Sequence, residues 1–109
     1  MVLVESNCID STREEEFNEW YNHVNLPDMM ETPGIVSVVR YENAEPVEGR
    51  GKYLAAYEVE TDDIQSVFAA NRQLMDQKRA EGRGSDLLKV VSVTSFRQSF
   101  VLSEHILVA

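Results

Sequence analysis

Residues 16–37 constrain the fold more than any other stretch. Phe17, Trp20, Tyr21 and Val24 recur at helical spacing, and Leu26-Pro27 and then Pro33-Gly34 lead into the β-branched run 35–41. Residues at i, i+3, i+4 and i+7 share one helical face. Asn25 falls one turn beyond Tyr21, at the edge of that face. Two aromatics with polar tips followed by an amide form an unusual stripe for a purely structural helix. Pro27 disfavours helical geometry at Leu26, so the spacing predicts a helix over 12–25 that ends there. Pro33-Gly34 then turns the chain into a strand over 35–41.

The flanking sequence completes the pattern. Residues 2–8 alternate as a short first strand, and Ser11 followed by Glu14 offers a capping box for the first helix. Residues 43–51, with Pro46, Gly49 and Gly51, read as an exposed loop before a third strand over 52–60. Thr61 or Asp62 can cap a second helix, in which Ile64, Val67, Phe68 and Met75 keep helical spacing up to Gly82. Residues 87–100 supply a fourth strand, or a strand with a bulge. The order β-α-β-β-α-β, short connections and right-handed crossovers point to one ferredoxin-like α+β domain over 1–109. It should have a four-stranded antiparallel sheet with both helices on one face. The other face is expected to carry Leu3, Val36, Val38, Leu54, Val91 and Val93. That much exposed apolar surface predicts a homodimer formed by sheet-to-sheet packing.

Charge narrows the partners. The net charge is −9, and it is uneven: residues 1–63 hold fifteen acids against four bases, residues 64–109 four against six. An acidic surface repels phosphate backbones and anionic lipid heads, which argues against nucleic acid and membrane as partners. Cys8 is the only cysteine, so no internal disulfide or multi-cysteine metal site can form. The N-terminus lacks the basic start and apolar core of a signal peptide, and no apolar run is long enough to span a bilayer. The expected location is the cytoplasm.

The string EFNEWYNHVNLPDMMETPGIVSVVRYE, with the later YLAAYEV over 53–59, resembles the EthD-like members of the dimeric α+β barrel superfamily across about residues 1–100. The resemblance implies the same fold, the same pairing of sheets into a dimeric barrel, and a pocket between sheet and helices. In that pattern a histidine precedes the Leu-Pro step. Here Asn25 holds the position, and the nearby histidine is His23. Haem-degrading relatives of the fold use an asparagine, a tryptophan and a histidine. Asn7 and Trp20 exist here, but the second helix has no histidine, which ranks a haem or monooxygenase-like reading low.

Strand alternation is expected to gather Ser6, Ser37, Tyr41, Tyr53 and Tyr57 on the helix-covered face, with Ser92 and Thr94. Buried hydroxyls need partners, so a cleft lined by them and closed by Trp20, Tyr21 and Asn25 accounts for them; tyrosine tips reaching solvent is the plainer alternative. Tyr21 can polarise a carbonyl or position an enolate, and Asn25 can hold a substrate oxygen or merely end the helix. His23 is the near-neutral proton carrier of the segment, although its spacing turns it toward Glu16 and Glu19. His105 lies in an apolar tail expected to dock on the domain. Glu5 and Glu58 are expected to pair across strands with Arg97 and Arg40; the alternative is that one of them is a general base. No phosphate loop, nucleophile elbow, zinc motif or dinucleotide fingerprint occurs. The expected function is therefore cofactor-independent isomerisation, cyclisation or cleavage of a small, largely apolar carbonyl or phenol compound. The rival is a binding or accessory protein without chemistry of its own.

Overall fold

Asp10 begins the first helical segment. Its carboxylate accepts from the Thr12 backbone N–H at 3.0 Å and from the Thr12 hydroxyl at 2.6 Å. Ser11 therefore lies inside a single 3₁₀ turn, Ser11–Arg13, and the capping box expected from Ser11 and Glu14 does not form. The computed structural model describes residues 1–103. Its elements are β1 (Val2–Cys8), α1 (Glu14–Trp20), a π-helical turn (Tyr21–Asn25), α2 (Leu26–Met29), β2 (Ile35–Glu42), β3 (Tyr53–Val59), α3 (Ile64–Ala80) and β4 (Leu88–Ser95). The strands form one antiparallel sheet in the order β2-β3-β1-β4. This is the ferredoxin-like arrangement.

Pro27 does not stop the first helix. The turn over Tyr21–Asn25 widens, so that the Leu26 N–H bonds to the Tyr21 carbonyl five residues back. Helical geometry then restarts with Pro27 in the first turn of α2, where a missing N–H costs little. Asp63, rather than Thr61 or Asp62, caps α3 by accepting from the Ser66 N–H at 3.3 Å.

Each edge strand carries one extra residue. In β2 the register slips between Ile35 and Ser37; in β4 it slips opposite Glu5 and Ser6, leaving Val91 unpaired. A bulge inverts side-chain parity beyond it. Val38 and Arg40 thus stand opposite Tyr57 and Ala55 on the helix side, and Val93 stands opposite Val4. Ser37 and Tyr41 belong to the open face, paired with Glu58 and Leu54; Ser92 and Thr94 join them there beside Glu5 and Leu3. Val38 and Val93 are correspondingly absent from the open face, which carries Leu3, Ala56 and Val39 in one row and Leu54 and Tyr41 in the next.

The expected cross-strand ion pairs give way with the parity. Glu5 accepts from Arg50 at 2.9 Å, the Gly51 N–H at 3.1 Å and the Ser92 hydroxyl at 3.0 Å, not from Arg97. Glu58 accepts from Ser37 at 3.1 Å, and Arg40 lies on the opposite face. Gly51 makes this tether possible, because a Cβ there would stand 2.8 Å from both Glu5 Cβ and Ser6 N.

The core lies under α1 and the π turn. Phe17 is fully buried, and Tyr21, Tyr53, Ala55, Tyr57 and Leu87 close around it. Phe17 packs edge-on to Tyr21 with ring centres 5.6 Å apart, an arrangement aromatic pairs favour. By contrast α3 buries only Val67 fully along its 17 residues. No helix among the described residues is long and apolar enough to cross a membrane. Phe100, Val101 and Leu102 are exposed; His105 lies outside the described residues.

Candidate functional site

Because α3 packs lightly, a cleft of ≈ 530 Å³ opens between it and the sheet. Val2 and Val4 of β1 with Tyr57 and Val59 of β3 form the floor, Phe68 and Met75 of α3 the roof, and Tyr21, Asn25 and Met29 the end wall. At the sheet edge, Val90 and Val93 are 48% and 56% exposed. The β4 bulge feeds this cleft, since without it Val90 and Val93 could not share the helix side three residues apart; the β2 bulge does the same for Ile35, which lines the cleft, and Val38, which packs against the core.

The π turn positions the end wall. Tyr21 and Asn25 are its first and last residues, and both line the cleft while α2 continues past Pro27. Tyr21 and Tyr57 are each 2% exposed. Burial is the main cause raising the Tyr21 phenol above its ordinary value, with Ser6, Arg40 and Tyr57 pulling the other way. Burial raises Tyr57 more strongly, and the neighbouring Tyr21 adds to the shift. Both phenols are therefore neutral hydrogen-bonding groups across the physiological range. Ser6 Oγ neighbours Tyr21, is fully buried, and makes no hydrogen bond of normal geometry.

Arg40 stands behind this pair. Its guanidinium carbon lies 4.1 Å from the Tyr21 ring centre and 4.4 Å from that of Tyr53. Desolvation lowers its pKa from the ordinary value. The alternation of Arg40 with Val38 and Glu42 was the signal available in the sequence, but it is decided only by the β2 bulge.

The mouth is polar. Asp28, buried at the start of α2, accepts two bonds from Arg83, at 2.7 and 2.9 Å, and lies 3.9 Å from Lys78. The Arg83 hydrogen bond is the largest influence holding the Asp28 carboxyl below its ordinary range, against opposing desolvation. Trp20 lines the cleft while its Nε1 donates to the Arg83 carbonyl at 2.8 Å. Asn71 donates to Thr32 at 2.9 Å and so ties α3 to the turn before β2.

Of the residues expected at the site, Trp20, Tyr21, Asn25 and Tyr57 come together here. Four do not. Ser37 and Tyr41 face the open side of the sheet for the parity reason given above. Tyr53 lies outside the cleft, donating to Glu14 at 2.8 Å and accepting from Asn18 at 3.2 Å. His23 points away; its side chain is 69% exposed and lies 3.5 Å from Glu19, because its place on the helix turns it to the solvent side. Among the described residues no cluster of histidine, cysteine and acids suited to a metal ion occurs.

No protein-family model and no curated protein sequence matches the chain. Among solved structures it is similar to HapK from Hahella chejuensis, at 12% identity and a TM-score of 0.60 over 94% of this chain and 97% of that one. It is also similar to an ethyl tert-butyl ether D (EthD) family protein from Bacillus halodurans, at 14% identity and a TM-score of 0.52 over 89% of this chain and 99% of that one. At such identities the likeness concerns the fold: the chain has the ferredoxin-like α+β fold of these EthD-like structures.

Proposed function

We propose that the protein binds a small, largely apolar molecule bearing a carbonyl or phenol oxygen in the cleft between α3 and the sheet, and acts on it without a cofactor. The observation that carries this reading is the convergence of aliphatic walls on two neutral phenols and an amide, Tyr21, Tyr57 and Asn25. Pockets for small ligands have this character: apolar surface with a few convergent polar groups that fix orientation. A neutral phenol donates a hydrogen bond to a carbonyl and strengthens it as charge develops on the oxygen. Isomerisation, cyclisation or cleavage needs no more than this together with one proton acceptor.

A second reading, binding without turnover, has its own support. Asp28 is the one carboxylate among the described lining residues, and it is engaged by Arg83; His23 is remote from the cleft. Asn25 holds the position of the histidine in the EthD-like pattern and cannot exchange protons as an imidazole does.

Identification of small molecules co-purifying with the protein, by mass spectrometry, followed by titration of the recovered compound, tests the reading. Tyr21→Phe should weaken its binding or slow its turnover about three- to tenfold, the loss of one hydrogen bond to a neutral oxygen. Asn25→His that creates or raises turnover supports a scaffold whose parent form only binds. Unchanged affinity and turnover in both variants would place the ligand elsewhere.

A further inference from the structure

On the reading that this cleft is the binding site, we propose that its ligand is an acid: a largely apolar molecule carrying an anionic group that lies at the α3 lip beside Arg72. The chain as a whole is strongly acidic, yet four of its ten Lys and Arg residues line this one cleft, against Asp28 alone of its nineteen acids. Three of those cations already have carboxylate partners. Arg83 holds Asp28, Lys78 lies 2.9 Å from Glu31, and Arg79 pairs with Asp76 at 3.0 Å one turn away in α3. Arg72 has neither hydrogen bond nor ion pair with any described residue.

The spacing on α3 gives that free charge a context. Phe68, Arg72, Met75 and Arg79 fall at i, i+4, i+7 and i+11, a single stripe along the cleft. Guanidinium groups thus alternate with apolar side chains on the roof, while Val90 and Val93 form an uncharged lip across the gap. An apolar body fits between Phe68, Met75 and the two valines, and its anion meets Arg72. Guanidinium is suited to this, since its planar fork matches the two oxygens of a carboxylate. A charge without a counter-ion beside low-dielectric walls attracts an oppositely charged ligand more strongly than a paired one does. A neutral ligand would leave the Arg72 charge without a counter-ion.

Two dyes of one skeleton separate the possibilities: anilinonaphthalene sulfonate, which is anionic, and phenyl-naphthylamine, which is not. Fluorescence titration of the full chain should show the anion bound about tenfold more tightly at low salt, equivalent to one surface-range charge interaction. The preference should shrink as salt is raised. Arg72→Glu, and more mildly Arg72→Gln, should abolish it while leaving the neutral dye within about twofold, with circular dichroism confirming the fold. Met75→Trp, which fills the cleft, should exclude both dyes. Equal affinity for the two dyes, or a preference that survives both Arg72 variants, overturns the acid proposal while leaving the cleft standing. Failure of either dye to bind, or binding indifferent to Met75→Trp, overturns the cleft reading itself and the proposal with it.

Discussion

Arg40 stacks on Tyr21, its guanidinium carbon 4.1 Å from the ring centre, and thereby sets a positive charge behind the end wall of the cleft. One of its nitrogens donates to Asn22 at 3.0 Å, whereas Nε and Nη2 are buried without partners. Two effects compete. Cation–π contact favours the folded state by about 0.5–2 kcal/mol, and each unmet buried donor costs about 1–3 kcal/mol. The second is at least as large, so Arg40→Met should change stability by no more than about 1 kcal/mol. Arg40→Lys should be the worse variant, because an ammonium keeps the buried charge but loses the flat face. Urea unfolding of the three proteins checks the order; a methionine variant weaker than the lysine one would mean that the charge itself supports the fold.

The phenols give a spectroscopic test. Tyr21 and Tyr57 are both raised, chiefly by burial. A group with a raised folded value contributes stability that is complete below its ordinary value, here 10.0, and is lost as the pH climbs through the folded value. Ultraviolet titration should therefore find Tyr21 and Tyr57 ionising late, together with alkaline unfolding. Tyr21→Phe and Tyr57→Phe should each remove one late component. Arg40→Met should move the Tyr21 component still higher, since the Arg40 charge pulls it down. Tyr21 and Tyr57 ionising near the ordinary value of 10.0 would refute the buried pair.

The sequence carried the fold and placed four of the eight expected residues at the candidate cleft. Aromatic spacing over 17–24 located α1, and period-two alternation in β1 and β3 put Val2, Tyr53 and Tyr57 on the correct face. What failed was parity on the two edge strands. The residues 35–41 and 88–95 alternate plausibly either way, and hydroxyl-bearing side chains suggested the wrong choice. A single unpaired residue in each strand, invisible to periodicity, decides which of Ser37 or Val38, and Ser92 or Val93, faces the helices. The π turn was hidden for a similar reason. Pro27 announces a break in an α-helix, but it is equally at home in the first turn of a new one. The uneven charge of residues 64–109 was visible from the start, although only α3 packing brings four of its six cations around one cleft.

Asp28 should contribute to the acid sensitivity of the fold. Arg83 lowers its carboxyl from the ordinary value of 3.8, so the folded state binds the proton less readily than the unfolded chain. The stabilisation is present above 3.8 and disappears as the pH falls through the lower folded value. Because Arg83 is 40% exposed, Asp28→Asn should cost only about 1–3 kcal/mol at neutral pH. The same variant should flatten the decline in stability below pH 3.8. Thermal unfolding across that range measures both effects. A neutral-pH loss without any flattening would assign the cost to packing at the start of α2 rather than to the charge.

The open sheet face leads to the last expectation. Leu3, Val39, Tyr41, Leu54 and Ala56 stand in paired rows there, and Val39 and Tyr41 are about half exposed, at 50% and 52%. The described chain leaves this surface to water, and a second copy meeting it about a twofold axis would cover it with the same residues. Stable pairing of that kind buries about 1,600 Å² in total, which a four-stranded sheet face can supply. We expect light scattering to find a dimer at micromolar concentration. Val39→Glu should convert it to a folded monomer, because the substitution puts an unpaired charge at the centre of the contact yet leaves it solvated in the separate chain. Val93→Glu supplies the contrast. Its side chain lies on the cleft side of the sheet, opposite Val4, so it should leave the dimer intact while weakening apolar ligands. Dissociation by Val93→Glu but not by Val39→Glu would mean that the two copies meet through the cleft edge instead.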